Sequence, residues 1–165
     1  MLDAVAEKLF ASLLDRCASF VGQEAKIPSL IAFLVSLTAV PLIARHFVWL
    51  GLAVFALGRL IGAIADRAGD NPLGPIYSSV ALAALPFAFV LDAPVRALAA
   101  VFLMFAIAAN SAVTIKFGRT PMAAVELLLV FFLAGLLPDW FGPIAYGGGG
   151  LCFIAAGIGA SRGMA

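Results

Sequence analysis

Charge is scarce in this chain. Its 165 residues include ten Lys and Arg, nine Asp and Glu and a single His, for a charged fraction of 12% and a net charge of +1. A soluble domain of this length needs more polar surface than those residues supply, so a water-facing exterior is excluded and most of the surface must face lipid. The near-neutral balance also excludes the basic surface on which nucleic-acid binding depends, so no nucleic-acid partner is expected. Cysteine is nearly absent. Cys17 and Cys152 lie far apart, each in an apolar stretch, where isolated cysteines act as packing residues; neither a disulfide nor a cysteine metal site is expected. His46 falls at a predicted loop and has no visible catalytic partners, and none of the intramembrane Ser and Thr residues belongs to a Ser-His-Asp arrangement.

What the chain has in abundance is apolar sequence: 64% of its residues, with a mean hydropathy of +1.14. A helix needs about 17 to 25 predominantly apolar residues to cross a hydrocarbon core. Six stretches meet or approach that length: Ile27 to Ala44, Phe47 to Ala65, Pro75 to Leu91, Ala97 to Ile115, Pro121 to Leu137 and Trp140 to Ala160. The short turns between them predict antiparallel neighbours in one bundle over residues 27–160. Gly147 to Gly150 make the last span the weakest, because glycine lowers helix stability, although small residues also suit close helix contact. In residues 1–22, Leu2, Val5, Leu9, Leu13, Cys17 and Phe20 recur at helical spacing opposite Asp3, Glu7, Lys8, Asp15 and Arg16, the pattern of an amphipathic helix lying on the membrane surface. The expected fold is therefore all-α: six transmembrane helices preceded by an interfacial helix.

Lys and Arg accumulate on the cytoplasmic side of membrane proteins. With six spans both termini share a side, and that side carries Lys8, Arg16, Lys26, Arg67, Lys116, Arg119 and Arg162 against Arg45 and Arg96 on the other. Both termini and the loop Asp66 to Gly74 are expected in the cytoplasm. Ionisable residues within spans are expensive and are functional candidates by default; Arg59 and Glu126 either pair with each other or contact a ligand. Asp66 and Asp70 stand four apart at the end of the second span, a spacing that puts two carboxylates on one face if the helix continues, while Asn71 and Pro72 signal its end. Arg67, Lys116 and Arg119 are placed to contact lipid headgroups.

From these residues a resemblance emerges. A surface helix, the Ile27-Pro28-Ser29 opening of the first span, a second span closing on Gly62-x-x-Ala65, then Gly69 and Gly74, resemble the CDP-alcohol phosphatidyltransferases. So do Asp92-Ala-Pro before the fourth span, Glu126 in the fifth, and Leu137-Pro-Asp-Trp-Phe-Gly-Pro before the sixth. The family signature is an Asp, two residues, Asp-Gly, two residues, Ala-Arg, a short spacer, then Gly and two further Asp at steps of four. A gapless overlay keeps Gly62, Ala65 and Gly74 but places the four acids on Gly58, Ile61, Ser78 and Leu82, and the Arg on Asp66. In the family those acids are understood to hold divalent metals that neutralise the diphosphate of a CDP-linked lipid, and the last to activate the attacking alcohol. Gly, Ile and Leu offer a metal no oxygen, and Ser78 offers one neutral hydroxyl.

The resemblance implies a membrane protein of phospholipid metabolism, integral and multi-pass, in a bacterial inner membrane. With its acids missing, it is expected to have lost catalysis and to serve as a lipid-binding protein, scaffold or regulatory subunit, partnered by membrane lipids and by a second copy or an active relative. Gly62, Ala65 and Gly74 are then either a remnant of a nucleotide pocket or plain helix-packing positions. No cofactor is expected on this reading. Mg2+ or Mn2+ enters only on the alternative, an active phosphotransferase joining a CDP-linked lipid to an alcohol through a site relocated to Asp66, Asp70 and Glu126. A small transporter using Arg59 and Glu126 is the third reading. Restoring aspartate at Gly58, Ile61, Ser78 and Leu82 is expected to create metal binding if the ancestral pocket is intact.

Overall fold

The computed structural model describes residues 15–19, 26–69, 73–117 and 124–163. Six helices follow residues 15–19, which are themselves helical: α1 Lys26–Ala44, α2 Val48–Ala68, α3 Gly74–Asp92, α4 Ala97–Phe117, α5 Ala124–Leu136 and α6 Phe141–Gly163. Single 3-10 turns, Pro94–Arg96 and Pro138–Trp140, lead into α4 and α6. Among the described residues there is no strand. In lipid an unpaired backbone amide has no water to turn to, so the chain closes its hydrogen bonds within each helix.

Five helical segments are long and apolar enough to cross a membrane: Lys26–Ala44, Val48–Ala68, Gly74–Leu91, Pro94–Phe117 and Pro138–Ser161. Only 28–39% of each such segment is buried inside the protein, and large apolar side chains such as Leu34, Leu57, Phe105 and Ile154 point outward. That arrangement is stable only where the solvent is hydrocarbon. The chain is accordingly a multi-pass helical membrane protein.

The weakness expected in the last span does not appear there, and the fifth span is described only in part. The described part of α5 has 13 residues, about 20 Å of helix against a core of about 30 Å; the N-terminal part of the expected span, 121–123, lies outside the described residues. By contrast α6 runs unbroken for 23 residues through Gly147 to Gly150. Two of those glycines are packing positions: a Cβ on Gly148 would come within 2.8 Å of Val130 Cγ1, and one on Gly149 within 2.6 Å of Phe102 Cε1. Close approach of α6 to α5 and α4 offsets the low helix propensity.

The turn between α1 and α2 has a definite mechanism. His46 takes a left-handed conformation, φ 66°. Its N–H donates to Ile43 O at 3.0 Å, and the N–H of Phe47 donates to Leu42 O at 3.0 Å. These are the paired bonds of a Schellman motif with His46 at the position that glycine usually takes. His46 is thus a turn residue, and its place between two spans follows from backbone geometry.

Packing is not simply sequential. α1 lies along both α2 and α3, α4 lies along α3 and α6, and α5 rests on α6. The core is aromatic at its centre, where Phe89 of α3 stacks on Phe141 of α6 at 4.9 Å and faces Phe131 of α5 at 6.4 Å. The α1–α2 seam is made of small residues instead. Ser29, Ala32, Ser36 and Ala39 of α1 are buried against Gly51, Gly58 and Ala65 of α2, which recur every seven residues and keep one seam facing α1. At Gly58 the helices are so close that a Cβ would overlap Ser36 Oγ and lie 2.9 Å from both Ala32 O and Ser36 N.

Candidate functional site

Where the α1–α2 seam opens toward α3, it leaves a small cleft, itself open to the exterior. It lies at the end of the bundle where α1 begins, α2 finishes and α3 begins. Its walls carry Ser29, Phe33 and Ser36 from α1, Gly58, Arg59, Gly62 and Asp66 from α2, and Gly74, Tyr77 and Ser78 from α3. Ser29 and Ser78 stand within about 6 Å of the starts of α1 and α3, at the depth of membrane headgroups.

Each polar wall residue has a local reason for its position. Ser29 belongs to the small-residue face of α1; it is 3% exposed, and its Oγ finds no hydrogen-bond partner among the described residues. Ser36, one seam position deeper, donates to Ala32 O at 2.8 Å, which leaves its lone pairs turned toward the seam. Tyr77 is held by its ring, stacked on Phe33 at 5.2 Å with an interplanar angle of 26°, so the hydroxyl is carried on a fixed plane. Arg59 and Asp66 are seven residues apart on α2, two turns on one face, and their charges attract. Arg59 lies about 14 Å of helix below Ala68, a depth from which an Arg side chain reaches upward to the interface; Asp66 is exposed at the mouth.

The overlay positions separate on this frame. Gly58 and Ser78 line the cleft, whereas Ile61 is half-buried away from it and Leu82 belongs to the hydrophobic core at 5% exposure. Of the four positions, Gly58 has no room for a side chain, and a carboxylate at Leu82 would lie in the core. The retained small residues separate as well. Ala65 is fully buried in the seam. Gly62 lines the cleft, where an added Cβ would meet only Ala32 Cβ at an ordinary 3.7 Å; packing does not require glycine there. Gly74 is buried at the start of α3 and lines the cleft.

Of the proposed relocated acids, Asp66 lines the cleft, Glu126 sits half-buried in the first turn of α5 and is not among the lining residues, and Asp70 lies outside the described residues. Arg59 lines the cleft and Glu126 does not. Among the candidate headgroup contacts, Arg67 donates to Asp15 Oδ1 at 3.4 Å and ties residues 15–19 to the end of α2. Lys116 is exposed at the end of α4 with its ammonium 5.1 Å from the Phe117 ring centroid, and Arg119 lies outside the described residues. The amphipathic helix expected over residues 1–22 also lies outside them, apart from 15–19, where Asp15 and Arg16 face outward and Ala18 is buried.

Sequence reasoning missed Ser29, Phe33 and Tyr77 as site residues. Ser29 was legible in part, since Ser29, Ala32 and Ser36 repeat at helical spacing; Tyr77 had no signal, because its role depends on α1 packing against α3. No protein-family model, no characterised protein and no solved structure matches this chain.

Proposed function

We propose that this chain is a non-catalytic phospholipid-binding protein of a bacterial inner membrane, with six spans, cytoplasmic termini and a plan similar to the CDP-alcohol phosphatidyltransferases. On this reading it serves as a scaffold or regulatory subunit in phospholipid metabolism. The observation that carries the reading is Gly58. It stands in the cleft where the overlay puts the first metal-binding acid, and the backbone of α1 is so close that no side chain fits. Magnesium and manganese require several oxygen ligands at about 2 Å, and among the described lining residues only Asp66 bears a carboxylate. Hydroxyls and one guanidinium remain, a set suited to holding a headgroup without transferring it.

The relocated-metal enzyme keeps one supporting observation, the presence of Asp66 at the mouth of the cleft. The two readings part on what the purified protein retains. Extraction and mass spectrometry of the lipids that remain after extended detergent washing are expected to find phospholipid in defined ratio to the protein. A protein stripped clean of lipid while still folded would remove the lipid-binding reading.

A further inference from the structure

We infer that the cleft between α1, α2 and α3 is a metal-free site for a single phosphate group, held by the Arg59 guanidinium and the hydroxyls of Ser29, Tyr77 and Ser78. The inference rests on the lipid-binding reading and gives it a chemistry.

A hydroxyl that is 97% buried normally has a partner, yet Ser29 Oγ has none among the described residues, and Ser29 lines the cleft. A polar ligand that fills the cleft would satisfy it. The sign of that ligand's charge follows from what else converges there. α1 begins three residues before Ser29, and α3 begins at Gly74, four residues before Ser78, so two helix N-termini with their unpaired amides and positive dipole ends open on the same space. Arg59 adds a formal positive charge and five N–H donors in a planar fork suited to phosphate oxygens; it can serve Asp66 and a phosphate together. Hydroxyls of Ser29, Tyr77 and Ser78 supply further donors from two other walls.

Size and depth then limit the ligand. The cleft is small and open to the exterior, so it does not enclose a drug-sized molecule. Its level, one turn inside α1 and α3, is where the phosphate of a lipid in the same leaflet lies. Asp66 opposes the ligand's charge from the mouth of the cleft. That opposition distinguishes this site from a metal site: here the carboxylate weakens binding, whereas a metal centre would depend on it.

The test is isothermal titration of the purified protein in dodecyl maltoside containing EDTA. Four probes are used: dihexanoyl phosphatidate, dihexanoylglycerol, glycerol 3-phosphate and inorganic phosphate. Phosphatidate is expected to bind without metal, and dihexanoylglycerol not to. Arg59→Ala should weaken phosphatidate by about tenfold or more, through loss of a charge-assisted bond, with Arg59→Lys intermediate. Asp66→Asn should tighten it by about threefold, through relief of like-charge repulsion near the interface. Ser29→Ala should weaken binding while raising the unfolding midpoint of the ligand-free protein, because it removes an unsatisfied buried hydroxyl; Tyr77→Phe weakens binding with the ring stack kept.

Equal binding of glycerol 3-phosphate or inorganic phosphate would support the site and identify its ligand as a soluble phosphate. Binding that requires Mg2+ and disappears in Asp66→Asn would overturn both the metal-free site and the non-catalytic reading. Equal binding of phosphatidate and dihexanoylglycerol, unchanged in Arg59→Ala and Tyr77→Phe, would overturn the phosphate site and leave lipid binding standing.

Discussion

Two glycines four residues apart on α2 should respond in opposite directions to the same substitution. Gly58→Ala places a methyl carbon on Ser36 Oγ and 2.9 Å from the backbone atoms Ala32 O and Ser36 N. Rotation can move the serine hydroxyl, but the carbonyl and amide are fixed by the α1 helix, so the helices must separate. Overpacking of this kind costs about 1–3 kcal/mol, against a gain of about 0.5–1 kcal/mol for Gly→Ala within a helix; a net loss near 1 kcal/mol is expected. At Gly62 the new methyl meets Ala32 Cβ at 3.7 Å, an ordinary contact, and only the helix gain of about 0.5–1 kcal/mol remains. The variants should therefore lie about 1–3 kcal/mol apart, or about 2–12 °C in midpoint. Ser36→Ala on the Gly58→Ala background removes the hydroxyl overlap and leaves the two backbone contacts, so less than half of the loss should return. Reversible unfolding in mixed micelles, followed by helical circular dichroism, measures all three. Equal stability of Gly58→Ala and Gly62→Ala would refute the close α1–α2 seam, and with it the argument that the cleft has no room for an acid at position 58.

Other expectations concern the turn, the core and the ends of the bundle. His46→Gly relieves a left-handed residue and should stabilise the protein by about 1 kcal/mol, whereas His46→Val should destabilise it, both read as unfolding midpoints. Phe89→Ala breaks the contacts with Phe131 and Phe141 and should cost on the order of 2 kcal/mol, below the value in water-soluble cores because burial from lipid lacks a hydrophobic term. Arg67→Ala releases the exposed 3.4 Å contact with Asp15 and should change stability by less than about 1 kcal/mol. Cys17, half-buried near the Arg67 contact, should react in intact vesicles with a membrane-impermeant maleimide only where the cytoplasmic face is outward, while Cys152, buried within α6, reacts only after unfolding.

The helices were largely legible because apolar length is a property of the sequence alone. Ile27 to Ala44 and Ala97 to Ile115 differ from α1 and α4 by no more than two residues at either end. α2 runs three residues past Ala65, since Asp66 and Arg67 lie where a helix end meets water and charge no longer opposes it. The last span read as weak because propensity condemned Gly147 to Gly150, while Val130 and Phe102 make use of the missing side chains at Gly148 and Gly149. The cleft was half legible. Arg59, Gly62, Asp66, Gly74 and Ser78 stand close in sequence around the second span and the turn after it, but Ser29, Phe33 and Tyr77 join them only because α1 lies across both α2 and α3. Nothing in hydropathy records that adjacency. Nor does it separate Gly58, pressed against α1, from Gly62, which lines the cleft and would make only an ordinary contact.

The most direct test of the non-catalytic reading is release of CMP from CDP-diacylglycerol by the purified protein in lipid nanodiscs, with Mn2+ or Mg2+ and a panel of acceptor alcohols. No release above that of empty nanodiscs, in the wild type and in Asp66→Asn alike, is the predicted result. Metal-dependent release that disappears in Asp66→Asn would contradict it and make the cleft a catalytic centre.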